Sequence, residues 1–118
     1  MTSTTFNPFE HDWVVIPWQV ARYRGISAQA KVIYGRLSRY VDEKGFAYPN
    51  VTELGEEVGL GERQTRTHLQ ELEKEGFISV QRRFRASNLY VFLHHPCFDG
   101  EIGFPRVTPP LAKAGGAE

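Results

Sequence analysis

Between Asn50 and Gly76 the apolar residues fall into two short helical periods separated by three residues, and this pattern limits the chain to few folds. Val51, Leu54 and Val58 share one face of a helix that begins after Asn50. Thr65, His68, Leu69 and Leu72 share one face of a second helix over Glu62 to Glu75. Gly59-Leu60-Gly61 breaks the period between them, and Gly76 supplies the stop. Gly55 is a small residue where the two helices approach, and Leu54, Val58 and Leu60 supply their shared core. An ordinary helical hairpin would use the same pattern, so what flanks it decides the reading.

Upstream, Ser27 is a helix cap, and Ala30, Ile33, Leu37, Tyr40 and Val41 recur at three-and-four spacing on a helix that ends near Gly45. Asp12 to Ile16 reads as a short strand, followed by a short helix from Pro17 through Arg22. Phe46-Ala47-Tyr48 is a brief extended segment before Pro49. Asn50 and Glu53 form a variant capping box for the next helix. Downstream, Ile78 and Val80 alternate with Ser79 and Gln81, and Leu89, Val91 and Leu93 alternate with Tyr90 and Phe92, the period of paired strands. Between them lies a basic tip, Arg82-Arg83-Phe84-Arg85-Ala86-Ser87-Asn88. The 118 residues suffice for one core. We read residues 1–11 as a frayed arm, 12–98 as the folded domain, and 99–118 as a flexible tail.

Fourteen Lys and Arg balance fourteen Asp and Glu. Zero net charge disfavours coating of DNA by bulk electrostatics, so a nucleic-acid site has to be a local patch. Cys97 is the sole cysteine, which excludes an intramolecular disulfide and a four-cysteine or Cys/His zinc finger. The longest apolar run, Trp13 to Ile16, is too short for a signal-peptide core or a membrane span. The expected location is cytoplasmic, with no membrane partner.

Two helices joined by a three-residue, glycine-containing turn and followed by a basic two-stranded wing form a winged helix-turn-helix. The expected fold is mostly α with a small β-wing: three main helices plus a two- or three-stranded antiparallel sheet. Ser27-Ala28-Gln29-Ala30-Lys31, Pro49-Asn50, Leu72-Glu73-Lys74-Glu75-Gly76-Phe77-Ile78 and Asn88-Leu89-Tyr90, with Val14-Val15-Ile16-Pro17 upstream, resemble the winged helix-turn-helix domain at the N-terminus of plasmid and phage replication initiators. The Leu-Glu-x-x-Gly-hydrophobic element also resembles bacterial winged-helix repressors. This chain departs from the pattern at Gly61, where Ser or Thr is usual, at Thr65, where an aliphatic residue is usual, and at His68, where an apolar or aromatic one is usual. The resemblance implies a double-stranded DNA partner and a role in transcription regulation or DNA replication.

On a helical wheel of about 100° per residue, Arg63, Thr67, Gln70 and Lys74 lie opposite the buried stripe, flanked by Gln64 and Arg66. Arg engages guanine through two acceptors and Gln does the same for adenine, so Arg63, Gln64, Arg66 and Gln70 are candidate base readers. Arg82, Arg83 and Arg85 are candidate phosphate or minor-groove contacts, with no acid between Glu75 and Asp99. A solvated helix face and a charged tip that protects an edge strand are the plain alternatives. Lys31, Arg36 and Arg39 read as solvated surface, as do Glu53, Glu56 and Glu57. Glu62 opens the recognition helix and would repel phosphate unless it selects a cytosine amino group.

His94, His95, Cys97 and Asp99 carry metal-ligand chemistry within six residues, but adjacent histidines on a strand point to opposite sides. No metal or cofactor is expected. The chain has no glycine-rich phosphate loop, nor any nucleophile and base at informative spacing, so an enzyme is not expected. A homodimer, reading half-sites about one helical turn apart, is compatible with the pattern, as is a replisome or RNA polymerase component as partner. The rival reading is an adaptor that uses the winged fold to dock on a polymerase or replisome component, with neutral charge and Glu62 in its favour.

Overall fold

A computed structural model of the chain describes residues 5–10, 12–83 and 85–99. Pro17 leads into α1 (Trp18–Ala21), a single turn that buries Val20. Ser27 then caps α2 (Ala28–Leu37), its hydroxyl accepting from the Ala30 N–H at 3.2 Å. Ala30, Ile33, Tyr34 and Leu37 form the buried stripe of α2. This helix is shorter than its apolar spacing predicts. It tightens into a 3-10 turn at Ser38–Tyr40, and Val41 is already extended and bridged to Ala47. Asp42 explains why helix does not continue to Gly45: its carboxylate accepts from the N–H groups of Lys44 and Phe46, a local turn that competes with helical hydrogen bonding.

After β1 (Phe46–Ala47), Asn50 caps α3 (Val51–Val58) by accepting from the Glu53 N–H at 3.1 Å. Gly59 ends α3 in the left-handed conformation (φ 77°), and α4 (Glu62–Lys74) starts after Gly61. A methyl group at Gly55 would lie 2.5 Å from Thr65 Oγ1 and 2.7 Å from the Leu60 carbonyl oxygen, so glycine is what lets α3 and α4 touch. Thr65 is fully buried, and its hydroxyl donates to the Gly61 carbonyl at 2.8 Å. The polar group at an aliphatic position is thereby satisfied within its own helix.

Gly76 (φ 85°) ends α4 and delivers Phe77 into the core, followed by β2 (Ile78–Gln81) and β3 (Leu89–Phe92). The antiparallel sheet has the order β1-β3-β2, with Ala47 and Val80 both opposite Tyr90. It is three-stranded because Phe46-Ala47 adds itself to the outer side of the wing hairpin. Phe77 lies at the centre of an aromatic cluster, stacked on His95 at 3.9 Å and edge-on to Tyr23 and Tyr34. Leu54, Leu69 and Leu72 complete the core beneath the helical hairpin.

The stretch from Asp12 to Ile16 forms no strand. It crosses α2 at Gly35, where an added methyl would meet Val14 Cγ1 at 2.5 Å and the Val15 carbonyl at 2.8 Å. Its backbone is therefore packed against a helix, where no strand partner is offered. The N-terminal arm includes a 3-10 turn at Pro8–Glu10, and a second such turn at Pro96–Phe98 extends the ordered body to Asp99. Residues 1–4 and 11 of the expected arm, Phe84 of the tip, and residues 100–118 of the expected tail lie outside the described residues. Among the described residues, no helix is long and apolar enough to cross a membrane.

Candidate nucleic-acid interface

The nine residues singled out on the second hairpin helix and the basic tip, Arg63, Gln64, Arg66, Thr67, Gln70, Lys74, Arg82, Arg83 and Arg85, are all exposed. For the six on α4 the burial of Thr65, Leu69 and Leu72 dictates this, since the opposite face of the helix has to point outward. Arg66, Gln70 and Arg82 come together around one hollow between α4 and the sheet, with Glu73, Asn88 and Tyr90 completing its wall. A second, more polar hollow adjoins it, bounded by Asn50, Thr52, Arg66, Ser87 and Asn88. Arg66 lines both. Lys74 sits in the last turn of α4 and Arg63 in the first, so the candidate face runs the length of the helix.

Several of these side chains already have partners. Gln64 Oε1 accepts from the Gly61 N–H at 3.1 Å, replacing the missing Ser or Thr cap with a cap from within the helix. This bond uses one of the two lone pairs of Oε1 and turns the amide back toward the start of its own helix. Thr67 donates to the Arg63 carbonyl, Arg83 Nε donates to the Ser87 carbonyl at 2.7 Å, and Arg82 lies 3.5 Å from Glu73. Arg85 stands in the left-handed region (φ 59°) at the turn of the wing. Arg63 and Lys74 have no ion pair among the described residues.

Glu62 is the acid that the sequence leaves unexplained. Its Oε2 accepts from Arg66 Nη2 at 2.7 Å and Nε at 3.1 Å, and its Oε1 accepts from the Thr52 hydroxyl at 3.0 Å. The Arg66 hydrogen bond, then that of Thr52, holds its carboxyl below the usual carboxylate range. The carboxylate is thus matched by a cation one helical turn away. At the other end of the candidate face Tyr48, 47% exposed, places its ring 5.2 Å from the Arg83 guanidinium. Sequence reasoning passed over Tyr48, and no local signal links positions 48 and 83.

Of the cations read as solvated surface, Lys31 and Arg36 are half-buried, while Arg39, in the Ser38–Tyr40 turn beyond α2, does face solvent. Lys31 Nζ donates to the Ala21 carbonyl at 2.7 Å, Arg39 pairs with Asp12 at 2.8 Å, and Arg36 pairs with Glu57 at 2.8 Å. Lys31 and Arg36 tie α2 to α1 and α3, and Arg39 ties the turn after α2 to the segment at Asp12. Glu57 also accepts from the Tyr40 hydroxyl, whose pKa burial and this bond push up to about 12. Glu53 and Glu56 do face solvent. Arg22, Arg24 and Lys44 are exposed as well, so positive charge is not confined to α4 and the wing.

His68 is half-buried between α2 and α4. An ionised carboxylate only accepts, so the His68 Nδ1–H is directed to Glu71 Oε1 at 3.0 Å, with Ser27 Oγ at 3.3 Å from the same nitrogen. Serine and glutamate thus share one ring nitrogen, which is no proton relay; a relay needs both. At the C-terminal end, His94 and His95 diverge. His94 is exposed beside Asp99, while His95 is buried and its Nδ1 accepts from the Cys97 N–H at 2.9 Å.

Helices α2, α3 and α4 with the three-stranded sheet define a winged helix-turn-helix domain. Residues 24–78 match a family model described as a helix-turn-helix domain. The chain is similar in structure to a solved "N-Terminal domain of DNA binding protein", with a TM-score of 0.55 and 18% identity over 80% of this chain and 86% of that one. No curated protein matches the sequence.

Proposed function

We propose that the chain binds double-stranded DNA sequence-specifically, as a transcriptional regulator or as a replication-initiation factor, in the cytoplasm and without enzymatic activity of its own. The observation that carries this reading is the convergence of Arg66, Gln70 and Arg82 on one open hollow beside an arginine-bearing wing, on the one face of α4 that the core leaves outward. The α4 side chains supply base contacts in the major groove, and Arg82, Arg83 and Arg85 supply phosphate or minor-groove contacts. The helix-turn-helix match over residues 24–78 and the likeness to a DNA-binding protein's N-terminal domain support it. So does the resemblance to replication-initiator domains.

Titration of labelled duplex by fluorescence anisotropy at several salt concentrations tests this. With about five phosphates neutralised, log affinity is expected to fall with log salt at a slope of roughly −4 to −5. Salt-independent binding, or none to any duplex, overturns the proposal. The adaptor reading drew on Glu62 as a repulsive charge, and pairing with Arg66 and Thr52 accounts for that acid otherwise. A stable protein partner in the absence of duplex affinity would favour the adaptor.

A further inference from the structure

Arg66 stands where α4, the wing and the start of α3 converge. Its side chain borders the hollow of Gln70, Arg82 and Tyr90 and also that of Asn50, Thr52 and Ser87. A long, exposed arginine at such a junction has two directions available, and the free energy between them is small unless something selects one. Glu62 makes that selection. It takes the Nε and Nη2 hydrogens of one guanidinium edge on a single oxygen, while Thr52, from the other helix, fixes its second oxygen. The carboxylate is therefore held from two helices at once, and it holds the arginine in turn.

The edge that Glu62 occupies is the Nε–Nη2 side of the guanidinium. The Nη1–Nη2 edge, with two parallel N–H donors, is left unclaimed by Glu62, and this is a fork that matches the O6 and N7 acceptors of guanine in the major groove. We propose that Glu62 is a positioning residue that directs Arg66 onto a guanine and so sets the specificity of one base pair. Phosphate repulsion is not its principal effect, because its charge is compensated at 2.7 Å before DNA arrives. Thr52 is the brace of this arrangement. The inference rests on the DNA-binding reading above.

The test uses the full chain, a duplex enriched from a random pool by the wild type, and a set of duplexes each changed at one base pair. Arg66→Ala is expected to abolish discrimination at one G·C pair, a loss of roughly 10- to 100-fold in preference. Glu62→Gln is expected to lose roughly two- to fivefold of preference at that same pair, with affinity for unrelated duplex unchanged or raised. The double variant should discriminate no worse than Arg66→Ala alone. Thr52→Ala provides a second route that leaves both charges intact, with a smaller loss at the same pair, and Thr52→Ser restores it. If Glu62→Gln shifts affinity for every duplex by one common factor, or if no G·C pair depends on Arg66 although a motif is enriched, the positioning role is overturned. If the wild type retains no duplex at all, the DNA-binding reading falls with it.

Discussion

Glu71 of α4 grips Ser27 by both of that residue's donors, taking the backbone N–H on Oε2 at 2.6 Å and the hydroxyl on Oε1 at 2.8 Å. The same hydroxyl accepts from the Ala30 N–H, so one serine caps α2 and ties it to α4. A helix start that would otherwise be a local event is thereby fixed against a second helix. Tyr23 makes a parallel tie, donating to Glu75 at 3.1 Å.

Replacing Glu71 should therefore destabilise the fold and make it less sensitive to acid. Burial of Glu71 works against ionisation, but the bonds from His68 and from both Ser27 donors outweigh it, leaving the carboxyl below its ordinary range. A folded-state pKa below the unfolded one means the stabilisation is complete above the unfolded value near ~4.3 and is lost as pH falls through the lowered value. Glu71→Ala is expected to cost about 2 kcal/mol at neutral pH, read by urea unfolding. Below about pH 4 the gap between wild type and variant should narrow.

Close contact between α3 and α4 gives a second prediction. Alanine normally favours a helix over glycine by about 1 kcal/mol, yet at Gly55 the methyl would strike the Leu60 carbonyl and Thr65 Oγ1. Overpacking of that kind costs about 1–3 kcal/mol, so Gly55→Ala should lower the melting temperature. Gly61→Ser is the control. Its backbone is extended, an added Cβ would make only an ordinary contact with Gln64 Oε1 at 3.7 Å, and serine is a better cap, so thermal stability should hold or rise by a few tenths of a kcal/mol.

The wing and the helix should separate by kind of defect. Arg82→Ala, Arg83→Ala and Arg85→Ala are expected to weaken all duplexes alike and to flatten the salt slope by about one unit each. Arg63→Ala is expected to relax preference at particular base pairs by about 1–3 kcal/mol. Competition titrations with matched and mismatched duplexes distinguish these outcomes. Equal behaviour of the two groups would show that the assignment of roles is wrong.

Tyr48 extends the wing prediction to a residue outside it. An exposed arginine over an aromatic ring gains about 0.5–1 kcal/mol, so Tyr48→Ala should release Arg83 and weaken binding to every duplex about two- to fivefold. Tyr48→Phe keeps the ring and should keep the affinity. Binding unchanged in Tyr48→Ala would show that the orientation of Arg83 carries no weight.

The sequence disclosed those parts of the molecule that repeat a short period or sit at a marked turn. The stripes Ala30-Ile33-Leu37, Leu54-Val58 and Leu69-Leu72, the caps Ser27 and Asn50, and the glycines that end α3 and α4 each follow from local physics, and each is found where expected. A two-residue strand such as Phe46-Ala47 carries no period, and its partner Tyr90-Val91 lies more than forty residues away. Gly35 gave no sign that Val14 and Val15 would cross it. Phe77 followed a recognised stop, but its place at the centre of the core depends on Tyr23, Tyr34 and His95, which only the tertiary fold assembles. The outward face of α4 was legible because burial of one side implies exposure of the other. How Arg66, Gln64 and Arg83 are held was not, since their partners are chosen by rotamer and distance.

The account depends most on the outward face of α4 and the arginines of the wing acting as one surface that reads base sequence in duplex DNA. Selection from a random duplex pool by the full chain tests this most directly. The account predicts enrichment of a motif containing at least one guanine whose preference disappears in Arg66→Ala. Recovery of a pool as random as the one supplied, or a motif equally enriched by a variant lacking both Arg63 and Arg66, would contradict it.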